Sequence, residues 1–317
     1  MHVNILVTCT KRKVFPPAPG LCIRSVEATD PHLAFRTWFD RLINGPGQRV
    51  KSEALYAGDL WTTVRSLPGV AETAGLAARI WVCSAGYGLV SLESELKSYS
   101  ATFSGSHPDS VTQWRNGQSS MESMQLWWRL LSGWRGPSPG SARSIAEVAS
   151  EYPNAALLVV ASETYIQAIG EDLQQASQNL RDPDLLCVIS AGGKVRGVLN
   201  RHVIPCDARM SHTVGGALST LNARVARKIL SESREYPIRV TVLRKRYMDL
   251  LAGQPPLQRH MRQHITDEEV KQFILDALRS RPAISRSSLL RRLRDGGLAC
   301  EQSRFSSLYA SLIRGKT

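Results

Sequence analysis

Five apolar, β-branched runs in this chain break off at small polar or charged residues: ILVTCTKRK, IWVCSAGYG, LLVVASETY, LCVISAGGK and VIPCDARMS. The residues at those endings can hold a ligand or break a bond. Asp207 and Glu163 are carboxylates, Lys11 and Arg209 are cations, and Cys9, Thr10, Ser84, Tyr87, Ser162 and Ser190 bring a thiol, hydroxyls and an aromatic face. A carboxylate beside an anomeric carbon stabilises the positive charge that builds on a sugar as its N-glycosidic bond breaks, or activates the attacking water. Asp207 is the first choice for that role and Glu163 its rival. Asn222 would orient the water or a base edge, and Arg209 would bind the flanking phosphate. Asp207 is equally suited to cap a helix or to pair with Arg209 or Arg224. Lys11, Arg12 and Lys13 make a cationic loop fit for a phosphate or a carboxylate. In SAGYGLV, Gly86 and Gly88 let backbone approach a ligand closely, and Tyr87 offers a flat face and a hydroxyl.

Several chemistries find no support. The sequence has no G-x-G-x-x-G, no Walker A loop, no H-E-x-x-H and no H-x-E with P-C-x-x-C, so hydride transfer, nucleotide hydrolysis and zinc-dependent deamination are not expected. The 6 cysteines (Cys9, Cys22, Cys83, Cys187, Cys206, Cys300) lack C-x-x-C spacing and several sit in strand-like runs, which predicts reduced thiols, with neither disulfides nor metal. No cofactor is implied. No stretch reaches the roughly 18 consecutive apolar residues of a membrane helix, and the first charges follow the short apolar run, the reverse of a signal peptide. A cytoplasmic protein is expected.

The endings need a sheet to align them. Apolar runs that alternate with helical patterns predict an α/β fold, a mostly parallel sheet covered by helices on both faces. Strands are expected over residues 1–10, Arg79–Ser84, Ala155–Ala161, Leu185–Ser190 and His202–Pro205. Helices are expected over His32–Ile43, Glu53–Leu67, Ala71–Ala78, Ser144–Ser150, Tyr165–Asn179 and Gly216–Ser231. The stretch Thr102–Ser144 is rich in Ser, Gly, Trp and Pro, with Trp127, Trp128 and Trp134 read as core more readily than as a stacking surface. Residues 1–243 would form this domain, and 244–265 a basic linker.

Residues 266–317 predict three short helices. Thr266 with Glu269 makes a capping box, and Val270, Phe273, Ile274, Ala277 and Leu278 form one stripe. A glycine turn before the third helix resembles a helix-turn-helix whose last helix enters the major groove of DNA. Charge supports a polyanionic partner: Lys+Arg number 40 against 27 Asp+Glu, a net charge of +13. The cations expected on nucleic acid are Arg224, Lys228, Arg244, Lys245, Arg246, Arg291, Arg292 and Arg304. Contacts of this kind give affinity and salt dependence without sequence readout.

Three ordered motifs over residues 1–104 carry a resemblance: CTKRK after the first strand, ALYAGDLW in the next helical segment, and CSAGYGLVSLESELKSYSATF. The chain resembles the YaaA-like superfamily there. That resemblance implies association with DNA and kinship with phage-defence DNA glycosylases that act on modified bases, with Thr10, Lys11, Ser84, Tyr87 and Tyr99 lining the pocket. A base inside a duplex must be flipped out to be reached, and Tyr87, Tyr99 and Tyr165 would stack on it. The expected activity is excision of a modified nucleobase from double-stranded, phage-type DNA, leaving an abasic site. The alternatives are a base-exchange transglycosylase on tRNA or DNA, with a carboxylate attacking the sugar, or a non-catalytic DNA-binding regulator.

Overall fold

The computed structural model describes residues 2–114, 117–192, 195, 197–255, 262–281 and 284–314. The chain divides into two compact units, Met1–Pro255 and Pro256–Thr317.

The first unit is an α/β domain around a six-stranded sheet. Strand β1 (His2–Thr8) buries Val3, Ile5, Leu6 and Val7, as an unbroken apolar run covered on both faces must. Helix α1 (Pro31–Asn44) starts at Asp30, whose carboxylate accepts from the N–H groups of His32 and Leu33. After β2 (Arg49–Lys51), the helix expected over Glu53–Leu67 is two helices, α2 (Ser52–Leu55) and α3 (Asp59–Thr73). Gly58, at φ +98°, divides them, because that backbone angle cannot continue a helix. No separate helix spans Ala71–Ala78: α3 runs through Thr73 and β3 (Ala77–Ser84) already begins at Ala77. Strand β4 (Gly88–Ser91) folds back antiparallel on β3, and β5 (Glu95–Lys97) pairs with β2.

Helix α4 (Ser120–Ser132) is opened by a Ser119–Glu122 capping box inside the stretch to which the sequence assigned no element. It buries Trp127 and Trp128, and Trp134 packs against the same core. Helix α5 (Ile145–Glu151) precedes β6 (Ala156–Val160). The helix expected over Tyr165–Asn179 starts at Glu163 and is interrupted at Ile169, giving α6 (Glu163–Ala168) and α7 (Gly170–Asn179). Strands β7 (Leu186–Ile189) and β8 (Val203–Ile204), then α8 (Ser211–Val214) and α9 (Leu221–Ser231), complete the α/β alternation.

The sheet order is β4-β3-β1-β6-β7-β8, with every pairing parallel except β3–β4. The chain therefore winds one way from β1 to β3 and the other way from β6 to β8. The change of direction falls between β1 and β6, and in open sheets of this kind the ligand crevice lies at that switch point, beyond the carboxyl ends of the strands.

The sequence places a linker at 244–265, yet its first part is helical. Helix α10 (Val240–Ala252) buries Val240, Leu243, Tyr247 and Leu251, an amphipathic stripe masked in the sequence by Arg244, Lys245 and Arg246 between its members. The first unit thus extends to Pro255 instead of residue 243, and 256–261 lie outside the described residues. In the second unit β9 (Gln263–His264) pairs with β10 (Leu298–Ala299), and α11 (Asp267–Ser280), α12 (Arg286–Asp295) and α13 (Gln302–Arg314) enclose Val270, Ile274, Leu289, Leu293 and Phe305. The Thr266–Glu269 capping box is formed. Among the described residues, no helix is long and apolar enough to cross a membrane.

Asn222 has structural duties at the carboxyl edge of the sheet. Its Nδ2 donates to the carbonyl of Ala161 at 2.9 Å and its Oδ1 accepts from the N–H of Ala191 at 2.7 Å, so α9 ties the segments following β6 and β7 together. Both ends of the amide are used, which overturns the expectation that Asn222 orients a water. Asn222→Ala should cost about 1–3 kcal/mol of stability, because it orphans two backbone groups. A urea midpoint equal to that of the parent protein would contradict this role.

Candidate functional site

The loop that leaves β1 at the switch point builds a cleft of two adjoining hollows. The smaller, of about 200 Å³, is lined by Cys9, Thr10, Lys11, Lys13, Ser100, Ala101, Thr102, His107 and Tyr165. Tyr165 comes from α6, beyond β6, so the hollow draws on both sides of the switch point. The wider hollow shares Thr10, Lys11, Lys13 and Ser100 and adds Arg12, Phe15, Pro16, Pro17, Cys22, Arg24 and Tyr99. No acidic residue lines either one among the described residues. Lys11 and Arg12 are exposed, and no carboxylate pairs with Lys11, Arg12 or Lys13 among the described residues. The exposed part of the cleft is therefore cationic.

Its floor is held by hydroxyls. Ser84 Oγ accepts from the N–H groups of Gly86 (3.1 Å) and Tyr87 (3.0 Å), so its own proton goes to the hydroxyl of Tyr99 at 2.6 Å, and that hydroxyl meets Tyr56 Oη at 2.9 Å. Burial pushes both tyrosines well above the usual phenol range and keeps them neutral. A Cβ on Gly86 would sit 2.4 Å from the Tyr99 ring, so glycine there is what admits the ring. Lys13 Nζ lies 4.1 Å above that ring and 5.7 Å from the centre of Tyr56, and donates to the carbonyl of Thr10 at 3.1 Å. Burial lowers the Lys13 pKa.

The wall opposite carries a pair that strand-end reasoning missed. The Asp109 carboxylate is fully buried and accepts from Arg24 Nε (2.8 Å), Arg24 Nη2 (2.7 Å), the Arg24 N–H (3.2 Å) and Ser100 Oγ (2.7 Å). Burial alone would raise its pKa, but these hydrogen bonds outweigh it and hold the carboxyl below the ordinary carboxylate range. His107 Nδ1 accepts from the Asp109 N–H at 2.9 Å, which puts the ring proton on Nε2. Burial first, and the charge of Lys11 next, lower the His107 pKa, so near neutral pH it is an uncharged Nε2–H donor in the wall of the smaller hollow. The only hint in the sequence is SHPDS, a His two residues before an Asp within a Ser- and Gly-rich run.

The expected site residues separate into three groups. Cys9, Thr10, Lys11 and Tyr99 line the cleft, as does Tyr165, whose hydroxyl is 3.0 Å from Cys9 Sγ. Ser84 and Tyr87 lie behind it: Tyr87 is buried, accepts from the Lys97 N–H through its hydroxyl at 3.1 Å, and has its face against Trp134, so it offers a base no stacking surface. Ser162, Glu163, Asp207 and Arg209 line neither hollow. Ser162 precedes α6 without a side-chain capping hydrogen bond and is exposed, and Glu163 opens that helix within 3.5 Å of Gln167 Nε2. Asp207 follows the edge strand β8, accepts from the Arg209 N–H at 2.8 Å and pairs with the Arg209 guanidinium at 2.8 Å. That pairing holds its pKa below the usual range. The carboxylate that adjoins the cleft is Asp109.

Several cations expected on nucleic acid are engaged internally. Arg224 pairs with Asp59 at 3.0 Å, Lys228 with Glu232 at 2.5 Å and Arg304 with Asp267. Arg246 lies over the Tyr236 ring and 3.9 Å from Glu232, and Arg244 donates to the carbonyls of Asn200 and Arg201. Lys245, Arg291 and Arg292 are exposed. In the second unit, Arg291 lines a separate basic hollow with Arg262, Arg286 and Arg294.

No protein-family model, curated protein or solved structure matches the chain.

The Asp109 cluster generates a pH signature. A carboxyl whose folded pKa lies below its unfolded value near 4 contributes its full stabilisation above that value and loses it as pH falls through the lower, folded one. Arg24→Ala should therefore lower the melting temperature at pH 7, with the gap to the parent protein narrowing steadily below about pH 4. A gap that is constant from pH 7 to pH 2 would show that the pair contributes nothing through charge.

Proposed function

We propose that the first unit binds a nucleotide of double-stranded DNA in the cleft beyond β1 and releases its base by hydrolysis of the N-glycosidic bond. The observation that carries this reading is the convergence of Lys11, Arg12 and Lys13 with the neutral His107 around hollows that lack an acidic lining among the described residues. Lys11 and Arg12 suit the phosphates on either side of a flipped nucleotide. The Nε2–H of His107 suits the departing base, whose negative charge it would relieve by hydrogen bonding. The positive charge on the sugar would be met by the substrate's own phosphates.

The YaaA-like motifs fit this reading, since CTKRK, Tyr56 of ALYAGDLW, and Ser84 and Tyr99 of the third motif meet at one cleft. The substrate the resemblance implies is a modified base of phage-type DNA, attacked in the cytoplasm. The three helices of the second unit would act as the helix-turn-helix that keeps the enzyme on DNA, with Arg286, Arg291 and Arg294 against phosphates.

Incubation with duplexes carrying modified bases should yield free base and alkali-labile abasic sites without an added acceptor base. His107→Gln should slow release about a hundredfold, while Asp207→Asn and Glu163→Gln leave it intact. Binding that persists with no base released from any duplex would reduce the cleft to a recognition site. Release that depends on an acceptor base would assign exchange instead.

A further inference from the structure

Lys13 differs from its neighbours in the cationic loop. Lys11 and Arg12 are exposed, as phosphate contacts are, whereas Lys13 is half-buried between the two hollows and open to both. Its Nζ makes one hydrogen bond, to the Thr10 carbonyl, and otherwise rests against the rings of Tyr99 and Tyr56. The chain places no carboxylate on it among the described residues. Aromatic contact and the nearby charge of Asp109 favour the ammonium, but burial opposes them more strongly, and the Lys13 pKa falls below that of a free lysine. A lysine partly withdrawn from water and without a directly paired carboxylate is a nucleophile toward carbonyl carbon.

Base release creates such a carbon in the same place. The abasic deoxyribose opens to an aldehyde at C1′, and the hollow that Lys13 lines is the one assigned above to the sugar and base. We propose that Lys13 is the nucleophile of a second activity, forming an imine with the aldehyde of an abasic site and cleaving the strand on its 3′ side. The Nζ lone pair bonds to C1′, the aldehyde oxygen departs as water with one amine proton and one proton from solvent, and the other amine proton stays on nitrogen to leave a protonated imine. The C2′ proton then passes to water while the C3′–O bond breaks and the 3′-phosphate leaves with the bonding pair. Water adds to C1′, restores the free amine and releases the unsaturated sugar aldehyde on the 5′ fragment. No oxidant or reductant takes part. The inference rests on the reading of the cleft as a site for a DNA nucleotide.

The test starts from a duplex that already contains one abasic site, so it needs no base release. The full chain is incubated with that duplex with and without borohydride, which reduces an imine to a stable amine. Strand cleavage without borohydride, and with it a covalent protein–DNA adduct located on Lys13 by peptide mass spectrometry, are the expected results. Lys13→Arg keeps the charge over the tyrosine rings but not the nucleophile and should lose both. Lys51→Gln, which removes a lysine paired with Glu93 away from the cleft, should keep both. An adduct on another lysine, an undiminished adduct in Lys13→Arg, or no adduct at all would overturn the proposal. If Lys13→Arg does not fold, the position of the adduct in the parent protein decides. Free base from modified duplexes, measured in parallel, separates failure of this activity from failure of base release.

Discussion

A buried run of three hydroxyls, Ser84 to Tyr99 to Tyr56, fixes the cleft. Ser84 is the last residue of β3, Tyr56 follows α2, and Tyr99 comes two residues after β5, so the run joins three elements that no strand pairing brings together at that point. Each hydroxyl is cut off from water, and a buried hydroxyl without a partner costs about 1–3 kcal/mol, so the three hold one another in place. The Tyr99 ring can sit there only because Gly86 lacks a side chain, and the ring in turn supports Lys13. Positioning of the half-buried Lys13 thus follows from hydroxyl satisfaction.

Charge is distributed to the same end. The acidic residues near other cations are spent on them: Asp59 on Arg224, Glu232 on Lys228 and Arg246, Asp207 on Arg209. Asp109, next to the cleft, is turned to Arg24 and Ser100 and walled off from solvent. Lys11, Arg12 and Lys13 are left without a paired carboxylate among the described residues, whereas Arg24 in the same lining is held by Asp109. Arg143 shows that the fold tolerates a buried cation when geometry allows. Its guanidinium donates to the carbonyls of Tyr87, Leu89, Leu131 and Trp134, and burial brings its pKa down to about 10. That net of carbonyl bonds braces the turn between β3 and β4, directly behind the hydroxyl run.

The α/β scaffold was legible because burial on both faces writes itself into composition: every parallel strand of the six-stranded sheet was an apolar run, and each was found within a residue or two, whereas the short β9–β10 pair, with the polar Gln263 and His264, was not. Lys11 and Thr10 followed, since a strand end points to the carboxyl edge. Which strand end carries the site was not legible. Local sequence treats CDARMS and CTKRK alike, but pairing order puts one on the edge strand and the other beside the switch point. Asp207 falls beside the edge strand for that reason, and its tie to Arg209, two residues away, is the local alternative the sequence offered. His107 and Asp109 lay out of reach for a different cause. They belong to a run of turns without periodicity, held by contacts with Arg24 and Ser100 that sequence spacing does not reveal. Helix α10 failed through charge: three consecutive cations concealed a buried stripe whose members are three or four residues apart.

The same topology explains why the cleft combines groups of opposite habit. Residues on the two sides of the switch point diverge as the chain winds away in both directions, which opens space without deleting core. On the β1 side, the short loop keeps Lys11 and Arg12 in water, where a cation binds phosphate at little desolvation cost. On the far side, the α6 tyrosine and His107 wall the smaller hollow. Lys13 stands where the two hollows meet, open to both, and burial there lowers its pKa against the pull of the tyrosine rings.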